Sequence, residues 1–141
     1  MSCRLLILGA GGHGRAVAEA AAASGTFEVI GFLDDAYPAV TAVRNMPVLG
    51  AIADCCGLAH AADQIFVVID NSLVGAGIAR ELTNVGLSLA TVMHPRAIVS
   101  QRAIIGPGSA VMTGAAVGAE ACQGLGVIVN RAAVRSLWPG G

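Results

Sequence analysis

The stretch that decides the fold is residues 4–24, RLLILGAGGHGRAVAEAAAAS. Arg4–Leu8 is a short apolar run stopped by Gly9, the pattern of a strand buried on both faces of a parallel sheet. Gly9-Ala10-Gly11-Gly12-His13-Gly14 then satisfies G-x-G-x-x-G. In that motif Gly9 permits the tight turn off the strand and Gly11 lets the backbone come close to a phosphate. Gly14 lets the following helix pack against the strand. The residues after it, Arg15–Ser24, are good helix formers, and Gly25 stands where a C-terminal cap belongs. A helix that opens on these glycines offers unpaired N–H groups and a partial positive charge to an anion. That dipole contributes about 0.3–1 kcal/mol when exposed and up to about 2 kcal/mol in a partly buried site.

Outward from this unit the alternation continues. Glu28–Leu33 reads as a second strand closing on Asp34-Asp35, followed by a polar connection from Pro38 to Pro47 and then Val48-Leu49-Gly50. Ala51–Leu58 suits a short helix, and Gln64–Ile69 a third buried strand ending at Asp70-Asn71-Ser72. Any of these three caps the next helix, which runs to about Val85 and stops at Gly86, and Leu87–Val92 reads as a fourth strand. Strands alternating with helices predict a parallel sheet covered on both faces. The fold class expected is α/β: a small Rossmann-like parallel sheet over residues 1–93, about one mononucleotide-binding half.

From Ala97 the chain can be written in sixes: AIVSQR, AIIGPG, SAVMTG, AAVGAE, ACQGLG, VIVNRA, AVRSLW. The third places are Val99, Ile105, Val111, Val117, Gln123, Val129 and Arg135. Aliphatic residues in this register, with small residues between them, mark a hexapeptide repeat and predict a partial left-handed parallel β-helix over residues 94–141. The repeat is expected to fail at Gln123 and again at Arg135. A buried amide without a partner costs about 1–3 kcal/mol, and an unpaired charge more. At most about two and a half coils fit.

Composition narrows the function. The 141 residues are 55% hydrophobic, 12% charged and 4% aromatic, with a net charge of −1. The charged share is far below the roughly 25% of an average domain. Self-association is expected from so little surface charge. No basic run with interleaved aromatics is present, so nucleic acid is set aside as a partner. No apolar stretch approaches a membrane span, and the apolar start is explained by the first strand. Cys3, Cys55, Cys56 and Cys122 have no zinc spacing and read as small buried thiols of a cytoplasmic protein, with no metal expected.

The candidate substrate-binding residues are therefore Gly9, Gly11, Gly12, His13 and Gly14 for phosphate, and the acids after the strands. One of Asp34 and Asp35 is expected to accept ribose hydroxyls, the other to be a solvated turn residue. A donor imidazole at His13 suits a diphosphate. Asp70 and Asn71 either face the ligand or cap the next helix. His60 reads as incidental, and His94, before Pro95, as holding a structural hydrogen bond.

Taken together, LLILGAGGHGRAVAEA, VIGFLDD, PVLG and LATVMHPRAIVS leading into hexapeptides resemble the bacterial sugar acyltransferases. These include the sialic acid O-acetyltransferases and the N-acetyltransferases acting on UDP-amino-sugars. The resemblance covers about residues 3–130. It implies a Rossmann-like domain for a nucleotide sugar such as a UDP-sugar, a left-handed β-helix, acetyl-CoA as co-substrate between adjacent β-helices, and a homotrimer. By matching position, Gly11, Gly12 and His13 would touch the phosphates, and Asp34 and Asp35 would lie near the uridine. Two departures stand out. The third strand of the family ends I-G-D-N with an Arg soon after, whereas this chain has Ile69-Asp70-Asn71 and then Val74. The family also continues after V-I-V-N to a catalytic histidine acting as general base. This chain reads Arg131-Ala-Ala-Val-Arg-Ser after Asn130, and no histidine follows His94. The catalytic residues are thus unassigned. The expectation is a C-terminally truncated or frameshifted member without turnover, tested by reading the genomic DNA past codon 141 for further hexapeptide coding. Two alternatives remain open: a non-catalytic UDP-sugar-binding module and an NAD(P)-binding Rossmann protein.

Overall fold

The computed structural model describes residues 3–69, 71–118, 122–123, 126–129 and 134–137. Strand β1 (Cys3–Leu8) lies at the centre of a six-stranded sheet, and α1 (Gly12–Ser24) follows it. The remaining strands of the sheet are β2 (Phe27–Leu33), the pair β3 (Ala42–Val43) and β4 (Met46–Gly50), β5 (Gln64–Val67) and β6 (Ser88–Leu89). A 3-10 turn over Ile52–Asp54 and α2 (Cys55–Leu58) precede β5, and α3 (Ser72–Asn84) follows it. The order across the sheet is β3-β4-β2-β1-β5-β6, parallel except for β3 against β4.

The central strands read as continuous apolar runs because both faces are covered. Leu5, Leu6, Ile7 and Leu8 are fully buried, as are Ile65, Phe66 and Val67. Burying each such side chain contributes about 1.5–3 kcal/mol. Val17, Ala18, Ala20 and Ala21 of α1 join the same core, as do Ala79 and Leu82 of α3. Helix α1 begins three residues before the expected Arg15, inside the glycine motif itself. It ends at Gly25, whose left-handed φ of 73° lets its N–H reach the Ala22 carbonyl.

The polar connection holds an unexpected hairpin, β3–β4. Its turn residues Arg44 and Asn45 both have positive φ, 49° and 67°. This is the geometry of a tight hairpin turn, made here without the glycine that usually signals it.

The expected fourth strand, Leu87–Val92, is two elements. Ser88–Leu89 pairs with β5, and the Ala90 N–H still reaches the Ile65 carbonyl. Two residues on, β7 (Val92–Met93) belongs to a different architecture. It is followed at six-residue steps by β8 (Ile98–Val99), β9 (Ile104–Ile105), β10 (Ala110–Val111), β11 (Ala116–Val117) and β12 (Cys122–Gln123). Then comes β13 (Val127–Val129). Parallel pairing joins β7 to β10 to β13, β8 to β11, and β9 to β12, giving the three faces of a partial parallel β-helix.

Inside this β-helix stand the third-place residues: Val111, Val117 and Val129 are buried, with Val99 and Ile105 packed against them. The backbone repeat does not stop at Gln123, contrary to expectation. Gln123 stays in register with Ile105, flanked in sequence by the buried Val117 and Val129. Backbone pairing holds the coil through this polar residue. The progression ends one face later, where β14 (Val134–Ser136) turns back antiparallel to β13. Val134–Ser136 therefore does not continue the parallel coil.

The second-place residues divide by face. Ile98 and Ile104 point outward and are 75% and 64% exposed. Val92, Ala110 and Ile128 occupy the same place on the remaining face, yet are 0–2% exposed and share the core of the α/β layer. Helix α1 packs against β7, so this face is a seat for the helix rather than a wall against water.

Candidate functional site: the glycine loop and its cleft

The sheet order places β1 and β5 at the point where successive strands run to opposite sides. Ligands of open parallel sheets bind outside the carboxyl ends of the strands at such a point. The chain ends of β1, β2 and β5 are tied together there. Gly9 N donates to Leu33 O at 2.8 Å, Val68 N to Leu8 O at 2.9 Å, and Asp34 N to Gly50 O at 3.0 Å.

Each glycine of the loop has a distinct environment. Gly9 has a φ of 111°, and a Cβ on it would strike the Val68 carbonyl. A Cβ on Gly14 would strike the Gly9 carbonyl. These two glycines are required by the protein's own packing. Gly11 and Gly12 are different: both are exposed, and a Cβ on either would meet nothing within 4 Å. Gly11 is the N-cap of α1 and provides no side chain to its N–H groups, and the first turn has no acidic residue. The first turn of α1 thus has no side-chain cap and no carboxylate of its own, and the space over Gly11 and Gly12 is open. His13 lies half-buried in the same turn.

Asp34 and Asp35 are separated by the fold. The half-buried Asp34 accepts from Ala10 N at 2.8 Å through Oδ2 and from Ala36 N at 2.9 Å through Oδ1. It is the strut that holds the glycine loop against the end of β2. Asp35 is exposed and accepts from Ile52 N at 3.1 Å, so it starts the 3-10 turn after β4. Asn71 caps α3, its Oδ1 accepting from Leu73 N and Val74 N, both at 3.1 Å. Asp70 lies outside the described residues. His94 is distant from this loop in the chain, and its Nδ1 accepts from Arg96 N at 3.0 Å, which leaves the ring proton to Nε2. His60 is exposed in the turn Ala59–Ala61. Cys55 is buried and burial raises its thiol pKa, whereas Cys3 is half-buried and Cys56 exposed, so the expectation of buried thiols fails at Cys3 and Cys56; the burial of Cys122 lies outside what is described. Among the described residues no group of three or more His, Cys, Asp or Glu is arranged to hold a metal ion.

A cleft of about 320 Å³ opens beside the loop. Ala10, Gly11, Arg15 and Asp34 form one wall, and Val40, Val43 and Val48 the other. It is a slot with a polar, amide-rich end at the glycines and an apolar end under the β3–β4 hairpin. That shape suits a ligand with an anionic part and a flat, less polar part. The sequence did not single out Arg15 or the valines. The signal for Arg15 was its place four residues after Gly11, one turn into the helix that opens on the glycine motif.

The PglD N-terminal domain model matches residues 4–82, more than half of the chain. The chain belongs to this family. Among solved structures, the acetyltransferase domain of PglB from Neisseria gonorrhoeae FA1090, in complex with acetyl coenzyme A, is 40% identical with a TM-score of 0.81. The match covers 92% of this chain and 62% of that one. A point mutant of perosamine N-acetyltransferase from Caulobacter crescentus, in complex with CoA and GDP-perosamine, is 31% identical with a TM-score of 0.79. Here the match covers 89% of this chain and 59% of the other. This PglD-family chain thus spans about three fifths of the length of the solved relatives. The resemblance to bacterial sugar acetyltransferases read from its sequence is confirmed. No curated protein sequence matches the chain. Among the described residues no helix is long and apolar enough to cross a membrane.

Proposed function

We propose that this chain is the nucleotide-sugar-binding part of an acetyl-CoA-dependent sugar acetyltransferase, with a UDP-sugar as its ligand. The observation that carries the reading is the open space over Gly11 and Gly12 at the uncapped start of α1. The diphosphate takes the N–H groups of this turn, with His13 beside it. The nucleoside occupies the slot between Asp34 and the hairpin valines. The GDP-perosamine held by the Caulobacter relative supports the class of ligand. Residues 1–93 form the binding domain in this reading and residues 94–141 the partial β-helix.

Acetyl-CoA is the co-substrate that the relatives support. The fit on this chain is incomplete. The histidines are His13, His60 and His94, so none stands on the β-helix past its first face to serve as general base. These residues are proposed to bind the nucleotide sugar without turnover. A homotrimer formed through the β-helix, in the cytoplasm, completes the proposal.

Isothermal titration with UDP-N-acetylglucosamine, with NADH in parallel, tests it. Binding of the UDP-sugar alone is the expected result. Binding of NADH alone would replace this reading with an NAD(P)-binding Rossmann protein. Acetyl transfer to a UDP-amino-sugar by this chain would overturn the absence of turnover.

A further inference from the structure

Arg15 is the one cation on the wall of the cleft, among the described residues. Its Nε donates to the Gly11 carbonyl at 3.4 Å, which folds the side chain back over the first turn of α1. The guanidinium thus lines the cleft beside Gly11, with its two terminal nitrogens as further donors. Among the described residues Arg15 makes no ion pair.

Among the described residues two carboxylates line the same cavities as Arg15, and both have other partners. Asp34, on the same wall, spends both oxygens on the backbone N–H groups of Ala10 and Ala36. Glu19 stands four residues on from Arg15, the spacing at which oppositely charged residues pair along a helix. Its Oε2 instead meets Arg44 Nη1, at 3.5 Å, at the tip of the β3–β4 hairpin. Arg15, Glu19 and Arg44 line a second small cavity between α1 and that hairpin, so the three side chains compete within one space.

We propose that Arg15 takes the charge of the ligand's diphosphate, and that the Glu19–Arg44 ion pair keeps its guanidinium available. The proposal rests on the nucleotide-sugar reading above. A guanidinium matches two phosphate oxygens at once, and charge-assisted bonds of this kind are the strong ones. The hairpin then acts on binding without touching the ligand: Arg44 is a positioning residue, drawing Glu19 away from Arg15.

The test is titration of the whole chain with UDP-N-acetylglucosamine, UDP and uridine, the last by NMR at millimolar concentration. Arg15→Gln should weaken UDP and UDP-N-acetylglucosamine by about 10- to 100-fold and leave uridine unchanged. Its affinity should also fall less steeply with added salt than that of the parent chain. Arg44→Ala should weaken both diphosphate ligands about two- to fivefold, the scale of an exposed ion pair, and Glu19→Gln in the same chain should restore them. Diphosphate binding by Arg15→Gln within twofold of the parent would overturn the role of Arg15. Equal loss of uridine would overturn it too, because the side chain would then be supporting the fold or the nucleoside. An unaffected Arg44→Ala chain would overturn the part given to the ion pair alone. A parent chain that binds no UDP-sugar would remove the nucleotide-sugar reading itself, and this inference with it.

Discussion

Asp34 reaches back across the end of the sheet and accepts the N–H of Ala10 at 2.8 Å. An acid 24 residues downstream thereby fixes the first amide after Gly9, and the loop is shaped by the second strand as much as by its own glycines. The same carboxylate holds Ala36 at the start of the next connection. Asp34→Ala removes both acceptors and should cost about 2–3 kcal/mol in urea unfolding. Asp34→Asn keeps one acceptor and should fall between. Nucleotide-sugar affinity should drop in the same order, and an Asp34→Ala chain of unchanged stability would deny the strut.

The loop glycines should separate into two classes. Gly14→Ala drives a methyl into the Gly9 carbonyl and should destabilise by about 3 kcal/mol or more. Gly11→Ala meets open space and should unfold within about 1 kcal/mol of the parent. The second variant should still lose at least about tenfold in UDP-sugar affinity, because its methyl occupies the approach to the N–H groups. Thermal melts beside titration separate the two effects.

Asn71 tests whether the end of β5 binds or only caps. Asn71→Ala should cost about 0.5–2 kcal/mol through the lost cap of α3. Ligand affinity should be unchanged. A variant with parental stability and weaker binding would give Asn71 to the ligand instead.

Arg4 and Asp63 make the pH-dependent contact of the sheet's opposite end. Asp63 Oδ1 meets Arg4 Nη2 at 3.1 Å, and Oδ2 accepts the Arg4 backbone N–H at 2.9 Å. The Arg4 side chain and then its backbone N–H hold the Asp63 carboxyl below the ordinary aspartate value. A lowered folded pKa means that the contribution is present above the unfolded value, about 3.9, and is lost as pH falls through the folded one. Arg4, raised by Asp63, stays charged throughout this range. The unfolding midpoints of the parent and Asp63→Asn should therefore differ at pH 7 and converge below about pH 4. A gap that persists at about pH 2 would mean the contact does not work through charge.

Much of the fold was legible because two periodicities are strong here. Leu5–Leu8 and Ile65–Val67 are unbroken apolar runs, and the valines at six-residue spacing can be counted by eye. Leu87–Val92 misled because an apolar run does not say which neighbour it pairs with. Leu89 goes to Ile65 and Val92 to Ala110. The β3–β4 hairpin was hidden by a turn built from Arg44-Asn45 rather than a glycine. At the site, the motif gave the packing roles of Gly9 and Gly14, but the division of labour between Asp34 and Asp35 depends on where β4 returns. A sequence does not print that distance.

The face formed by Val92, Ala110 and Ile128 ties this back to α1. One helix starts inside the glycine loop and lends its flank to the coil. The two halves of the chain therefore share a single rod. Shortening the coil face would wet the flank of that rod, and the start of the helix would loosen from behind, with every loop residue still in place.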